Sequence, residues 1–158
     1  MTDRPVFPWQ QEAVIRHTQR LLNSFSHWTG KRLLEVEGEP KAIAQALFEA
    51  PFVIISHGME ADPIFNYANC RALELWELDW QEFTRMPSRY TAEPMLQEER
   101  NRLLAETIAK GFSHFRGVRI SSTGKRFLIE NGLLWNVLDE QHQRCGQAAV
   151  CSQCTFLS

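Results

Sequence analysis

The sequence predicts an α+β fold: a five-stranded antiparallel sheet with helices on one face and a helical extension at the N-terminus. Three observations carry this. Strand-like runs come in two groups, two before and three after a central helical block, without the strand–helix alternation of a parallel sheet. Turn signals divide each group, Asp62-Pro63 in the first and Ser122-Thr123-Gly124 in the second. The first thirty residues carry an amphipathic stripe of their own.

In chain order, residues 8–29 place Val14, Leu21, Phe25 and Trp28 at spacings of seven, four and three, widened by Ile15 and Leu22. That periodicity predicts one amphipathic helix, stopped at Gly30. A polar connection over 35–40 leads to a short helix over 41–49, with Pro40 in its first turn, where the missing N–H does no harm. Phe52–Ser56, opened by Pro51 and closed by Gly58, reads as a buried strand, and Ile64–Ala68 as its hairpin partner. Asn69 is placed to cap a helix over 70–78, and Asp79 another through about Arg85. Gln97–Lys110 reads as a longer helix with Leu103, Leu104 and Ile108 inward and Gly111 at its end. Phe115–Ser121, Lys125–Leu138 and Gly146–Leu157 complete the sheet. These elements divide the chain into a helical extension over 1–39 and a sheet domain over 40–158.

The 158 residues suit one domain with an extension, and 44% apolar against 23% charged is ordinary for a globular chain. Seventeen basic against nineteen acidic side chains leave a net charge of −2, without the basic excess of a nucleic-acid binder. No run approaches the roughly 18 apolar residues of a membrane span. The first twenty residues carry Asp3, Glu12, Arg16 and Arg20 and no apolar stretch, so no signal peptide is expected. Four cysteines, at 70, 145, 151 and 154, then read as free thiols in a reducing cytoplasm. A cytoplasmic protein without nucleic-acid or membrane partners is the expectation.

Several blocks sharpen the reading: Ser56-His57-Gly58, DPIFNYAN over 62–69, ALELW over 72–76, Pro87-Ser88-Arg89, Thr91-Ala92-Glu93-Pro94, GVRISSTG over 117–124 and GQAA over 146–149. In this order they resemble the MEKHLA family, a PAS-like group found as small stand-alone bacterial proteins and at the C-terminus of class III homeodomain-leucine-zipper plant factors. The resemblance covers about residues 40–157. It implies a PAS-like sheet crossed by helices and a sensory or regulatory role without catalysis. A small organic ligand would sit between helices and sheet. The family supplies no ligand identity, and no cofactor is named.

Cys151-x-x-Cys154 invites a redox or zinc reading, yet on a continuous strand residues three apart face opposite sides, so the pair is expected neither to bridge nor to chelate. Zinc would also need two further ligands. Asn69-Cys70-Arg71 mimics the Asn-Cys-Arg signature of flavin-binding photosensors but opens the first helix of the block. By element order the matching place is Pro87-Ser88-Arg89, where a serine cannot supply the flavin adduct's nucleophile. That argues against a cysteinyl-adduct photocycle and leaves Arg89 as a candidate ligand contact. Histidines at 17, 27, 57, 114 and 142 are scattered, and only His57 belongs to a family block. No G-x-S-x-G, phosphate loop or G-x-G-x-x-G suggests an enzyme.

The candidate ligand-binding residues are Phe83, Ser88, Arg89, Tyr90, Leu104, Ile108, Phe115 and Trp135. The strand 125–138 alternates Phe127, Ile129, Asn131, Leu133 and Trp135 against Leu128, Glu130, Gly132, Leu134 and Asn136. A sheet apolar on both faces needs a second cover, from the N-terminal helix or from a second copy, and a homodimer is expected. Two rival readings stand beside the ligand-binding one: a ligand-free interaction module, and a thiol redox sensor using Cys145, Cys151 or Cys154.

Overall fold

A computed structural model describes residues 7–157, so the outer limits of the domain division, residues 1 and 158, lie outside the described residues. Helix α1 spans Glu12–Thr29 and ends on Gly30 at φ 72°, the left-handed turn that glycine adopts without strain. Helix α2 (Pro40–Phe48) begins at its proline. Strands β1 (Val53–His57) and β2 (Phe65–Ala68) come next, then α3 (Cys70–Trp76), α4 (Trp80–Phe83) and α5 (Gln97–Lys110). Asn69 and Asp79 cap α3 and α4 through their side chains, as the sequence predicts. Strands β3 (Phe112–Ile120), β4 (Arg126–Leu138), β5 (Arg144–Cys151) and β6 (Gln153–Phe156) complete the chain.

The sheet is antiparallel in the order β2-β1-β5-β4-β3, and β6 runs beside the first half of β4. The last strand expected from sequence is therefore two, broken at Ser152. No helix among the described residues is long and apolar enough to cross a membrane.

Both faces of the sheet are covered within the chain. On the outer face α1 and α2 bury Val14, Leu21, Phe25 and Leu47 against Ile54, Trp135 and Val137. Phe25 meets Trp135 edge to face at 5.1 Å, and the Trp28 indole donates to the Asn136 carbonyl at 2.8 Å. On the inner face Ala72, Trp76 and Phe83 pack on Phe65, Phe127 and Ile129.

The alternation expected along β4 is corrected by a bulge. Phe115 pairs with Gly132 and Gly117 with Ile129, so Arg116 faces two residues, Glu130 and Asn131. Asn131 takes a left-handed φ of 54°. The extra residue turns the second half of β4 over. Ile129 and Leu134 therefore share the inner face, while Trp135 turns out towards α1. The break at Ser152 falls between the Glu130–Gln153 and Leu133–Val150 pairs, beside the same bulge. It corrects the cysteine expectation as well: the Cys151 and Cys154 sulfurs lie 3.1 Å apart, because strict alternation fails across a kinked strand.

A third correction concerns α5. Its inward stripe is Arg100, Leu103, Leu104 and Thr107, and Ile108 is 48% exposed. The spacings of three, four and seven from Arg100 keep the helical period, but two of the four positions are polar and so leave no apolar signal.

Candidate functional site

Between α5, the 3-10 turn Ser88–Thr91 and the inner face of the sheet lies a cavity of about 60 Å³. Its apolar wall includes Ile55, Phe65, Leu103, Leu104, Phe115, Ile129 and Leu134; its polar wall includes His57, Ser88, Arg100, Arg119 and Gln147.

Each polar group is held by a definite element. The Ser88 N–H donates to the Pro63 carbonyl at 2.8 Å, which docks the 3-10 turn onto the β1–β2 connection. From the first half of α5, Arg100 donates to the Ser88 hydroxyl. Arg119 leaves β3 with its guanidinium donating to the Val118 carbonyl at 2.9 Å and standing 5.9 Å from the Phe115 ring centre. Two glycines make the room: a Cβ on Gly132 would come within 2.6 Å of the Phe115 ring, and one on Gly117 within 3.0 Å of the Arg119 guanidinium. Gln147 donates to the Leu104 carbonyl at 3.1 Å and to Asn136 Oδ1 at 3.2 Å. Asn136 in turn donates to the Thr107 and Ile108 carbonyls at 3.0 and 3.3 Å. This amide pair satisfies carbonyls at the C-terminal end of α5 and fixes the helix over the sheet.

The electrostatics are unusual. Arg100 is only 8% exposed, and burial, with the charge of Arg119 second, lowers its pKa to about 10. Burial also pushes the Arg119 guanidinium down. Among the described residues neither makes an ion pair with a carboxylate. Asp62 and Glu99 act on them only through their fields, and Asp62 is engaged by Arg89 at 3.1 Å. His57 Nδ1 lies 3.0 Å from the Gly58 carbonyl, which can only accept, so the proton sits on Nδ1. Its Nε2 is buried without a partner among the described residues, and burial lowers the ring's pKa, favouring the neutral form. The indole N–H of Trp76, another residue of the cavity wall, is also buried and unpartnered.

Of the residues singled out from sequence, Ser88, Leu104 and Phe115 line this cavity. Phe83 sits in the core beside it, stacked on Phe65 at 4.2 Å. Arg89 and Tyr90 lie outside: the turn that brings Ser88 inward sends both outward, where the guanidinium covers the Tyr90 ring at 4.5 Å. Ile108 is on the surface, and Trp135 is on the opposite face of the sheet. Cys70 is exposed at the start of α3 and absent from the cavity wall. Sequence reasoning missed Trp76, Arg100, Arg119 and Gln147. The one available signal was the strand parity that Arg119 shares with Phe115. Among the described residues no group of three or more His, Cys, Asp and Glu could hold a metal ion.

Comparison with solved structures finds the same architecture. The PAS domain of a protein from Colwellia psychrerythraea superposes with a TM-score of 0.63 at 14% identity, over 74% of this chain and 95% of that one. An RNA-binding light-oxygen-voltage receptor gives 0.59 at 15% identity, over 76% of this chain and 36% of the receptor. The light-oxygen-voltage domain of the blue-light photoreceptor Aureochrome1 gives 0.52 at 14% identity, over 80% of this chain and 89% of that domain. At these identities the likeness is one of fold. Comparison with curated protein sequences finds no match. The profile of the MEKHLA domain matches residues 15–156, taking in most of α1 together with the whole sheet. The chain belongs to the MEKHLA domain family and has the α+β fold of PAS domains.

Proposed function

We propose that the chain is a non-enzymatic sensory or regulatory domain that holds a small organic ligand in the cavity between α5 and the sheet. The observation that carries this is a set of buried polar groups on one cavity wall: among the described residues His57 Nε2 and the Trp76 indole N–H have no hydrogen-bond partner, and the Arg100 guanidinium, though it donates to Ser88, has no carboxylate to balance its charge. Folded chains rarely bury such groups unsatisfied, and a ligand supplies the missing partners. Ser88 accepts from Arg100, which stays protonated and cannot act as a base, so no activated nucleophile is built there. At about 60 Å³ the space is well below the roughly 300–1,000 Å³ of pockets for drug-sized molecules, which confines the ligand to a few heavy atoms.

The test is a small-fragment screen by native mass spectrometry and ¹H–¹⁵N NMR on the full chain and on Ala149→Leu, which fills the cavity from β5. Binding that is lost in the filled variant is expected. Fragments that bind neither protein, or bind both alike, overturn the reading and leave the ligand-free interaction module.

The thiol pair supports a second reading, a redox sensor. The Cys151 and Cys154 sulfurs lie within hydrogen-bonding distance at 3.1 Å, and this contact holds the Cys154 thiol below the usual range and pushes Cys151 up. Cys154 is therefore the nucleophile of the pair. Hydrogen peroxide would take two electrons and two protons from the thiols, joining the sulfurs and leaving two waters. Cys145 is half-buried on the α1 side and its thiol is pushed up by burial, so it is not part of that chemistry. Peptide mass mapping after mild peroxide is expected to find a Cys151–Cys154 bridge. Finding Cys70 oxidised while the pair stays reduced removes this reading.

A further inference from the structure

We propose that the ligand of this cavity is a short aliphatic monocarboxylate, its carboxylate held by Arg100 and Arg119 and its tail against the apolar wall. The inference rests on the reading of the cavity as a ligand site and names the chemistry that site would take.

Two guanidinium groups share one cavity and repel each other, and among the described residues no acidic side chain comes within ion-pair distance of either. Burying like charges is unfavourable, and an anion placed between them relieves both desolvation and repulsion. Burial already presses both arginines towards the neutral form, the direction in which an unmet need for a counter-charge acts. The planar guanidinium fork matches a carboxylate through paired N–H···O bonds. The Trp76 indole N–H, buried on the same wall without an acceptor, is a further donor.

The rest of the wall selects the group attached to the anionic head. Ile55, Phe65, Ile129 and Leu134 offer no hydrogen bonds, so a purely polar anion such as inorganic phosphate would leave its remaining oxygens unsatisfied. A volume of about 60 Å³ corresponds to roughly four one-water units, room for about four to six heavy atoms. Acetate to butyrate fall in that range. The route in is also marked, since Arg100 and Arg119 both line a groove of about 230 Å³ between α5 and β3, together with Glu99, Arg102, Glu106 and Arg116. The arginine pair thus stands between the surface groove and the apolar interior.

The probes are propionate and its neutral isostere propionamide, titrated into the full chain at pH 7 and followed by ¹H–¹⁵N NMR. Propionate is expected to move the Trp76 indole signal saturably and to leave the Trp135 indole, on the opposite face, in place. It should bind at least about tenfold more tightly than propionamide, and Arg119→Gln and Arg100→Gln should each weaken propionate by roughly tenfold while leaving propionamide unchanged. Should the more buried Arg100→Gln lose its near-ultraviolet circular dichroism, Arg119→Gln carries the comparison alone. Propionamide binding as tightly as propionate overturns the anion assignment and leaves the ligand-site reading standing. Binding of neither overturns both. Propionate affinity unchanged by the substitutions overturns the arginine site, and phosphate equalling propionate overturns the aliphatic tail.

Discussion

Asn69 does far more than cap a helix. Its Oδ1 accepts from the Ala72 and Ile54 N–H groups, both at 3.2 Å, and its Nδ2 donates to the Leu47 and Phe52 carbonyls at 3.3 and 2.8 Å. One fully buried amide therefore ties together the end of α2, the entry to β1 and the start of α3. Asn69→Asp keeps the capping oxygen but points a second oxygen at two carbonyls, leaving three acceptors without a donor. That substitution is expected to lower stability in urea unfolding by at least about 2 kcal/mol, more than the roughly 1 kcal/mol typical of a lost cap. A loss no greater than that of a cap would show the Nδ2 bonds to be dispensable. The cap was legible in the sequence because its partner lies three residues away. The other bonds were not, since they reach 15 to 22 residues along the chain. Arg100 and Arg119 escaped for a related reason: a charged residue read alone is assigned to solvent, and only the fold reveals that these two share one cavity wall.

At the level of elements, the order, the helix starts and the hairpins come from local signals, and the departures gather where one residue breaks a period. Asn131 turns half of β4 over, and Ser152 does the same between β5 and β6. A bulge of this kind leaves no periodic trace, because the residues at it, Glu130, Asn131 and Gly132, are polar or lack a side chain and mark neither face. The seam between α1 and the sheet holds a second local surprise. His17 Nε2 lies 2.8 Å from the Ser56 hydroxyl, and burial, with the charge of Arg20 second, lowers its pKa from 6.5 to about 4. Below pH 6.5 the unfolded chain binds a proton here that the folded chain refuses. The stability is therefore complete above pH 6.5 and falls as the pH drops towards 4, by on the order of 3 kcal/mol from this group. His57 is shifted in the same direction. His17→Gln, which can still reach Ser56, is expected to flatten the acid side of a stability-against-pH curve by about that amount. Curves of equal slope for the two proteins would locate the acid sensitivity elsewhere.

For the whole molecule the decisive question is what covers the outer face of the sheet. Sequence showed that β4 is apolar on both sides and that α1 has a stripe to bury, but two solutions satisfy those facts: cover within one chain, or exchange between two copies. In the structure α1 lies on its own sheet, burying Val14, Leu21 and Phe25 and half-burying Trp28. Each large apolar side chain so buried is worth roughly 1.5–3 kcal/mol. For the three buried ones that comes to about 5–9 kcal/mol, comparable with an ordinary domain stability of about 5–15 kcal/mol. Deleting residues 1–30 removes that contribution and uncovers Trp135, Val137 and Ile54 together, a patch that water does not tolerate on a monomer. Sedimentation at matched concentration is expected to show the truncated chain in larger species than the full chain. A full chain that sediments as a dimer and becomes a folded monomer on deletion would mean that α1 is exchanged across a two-fold axis, the homodimer that the sequence suggests. A stable monomer both before and after deletion would show that the outer face needs no cover at all, and would leave α1 without a structural role.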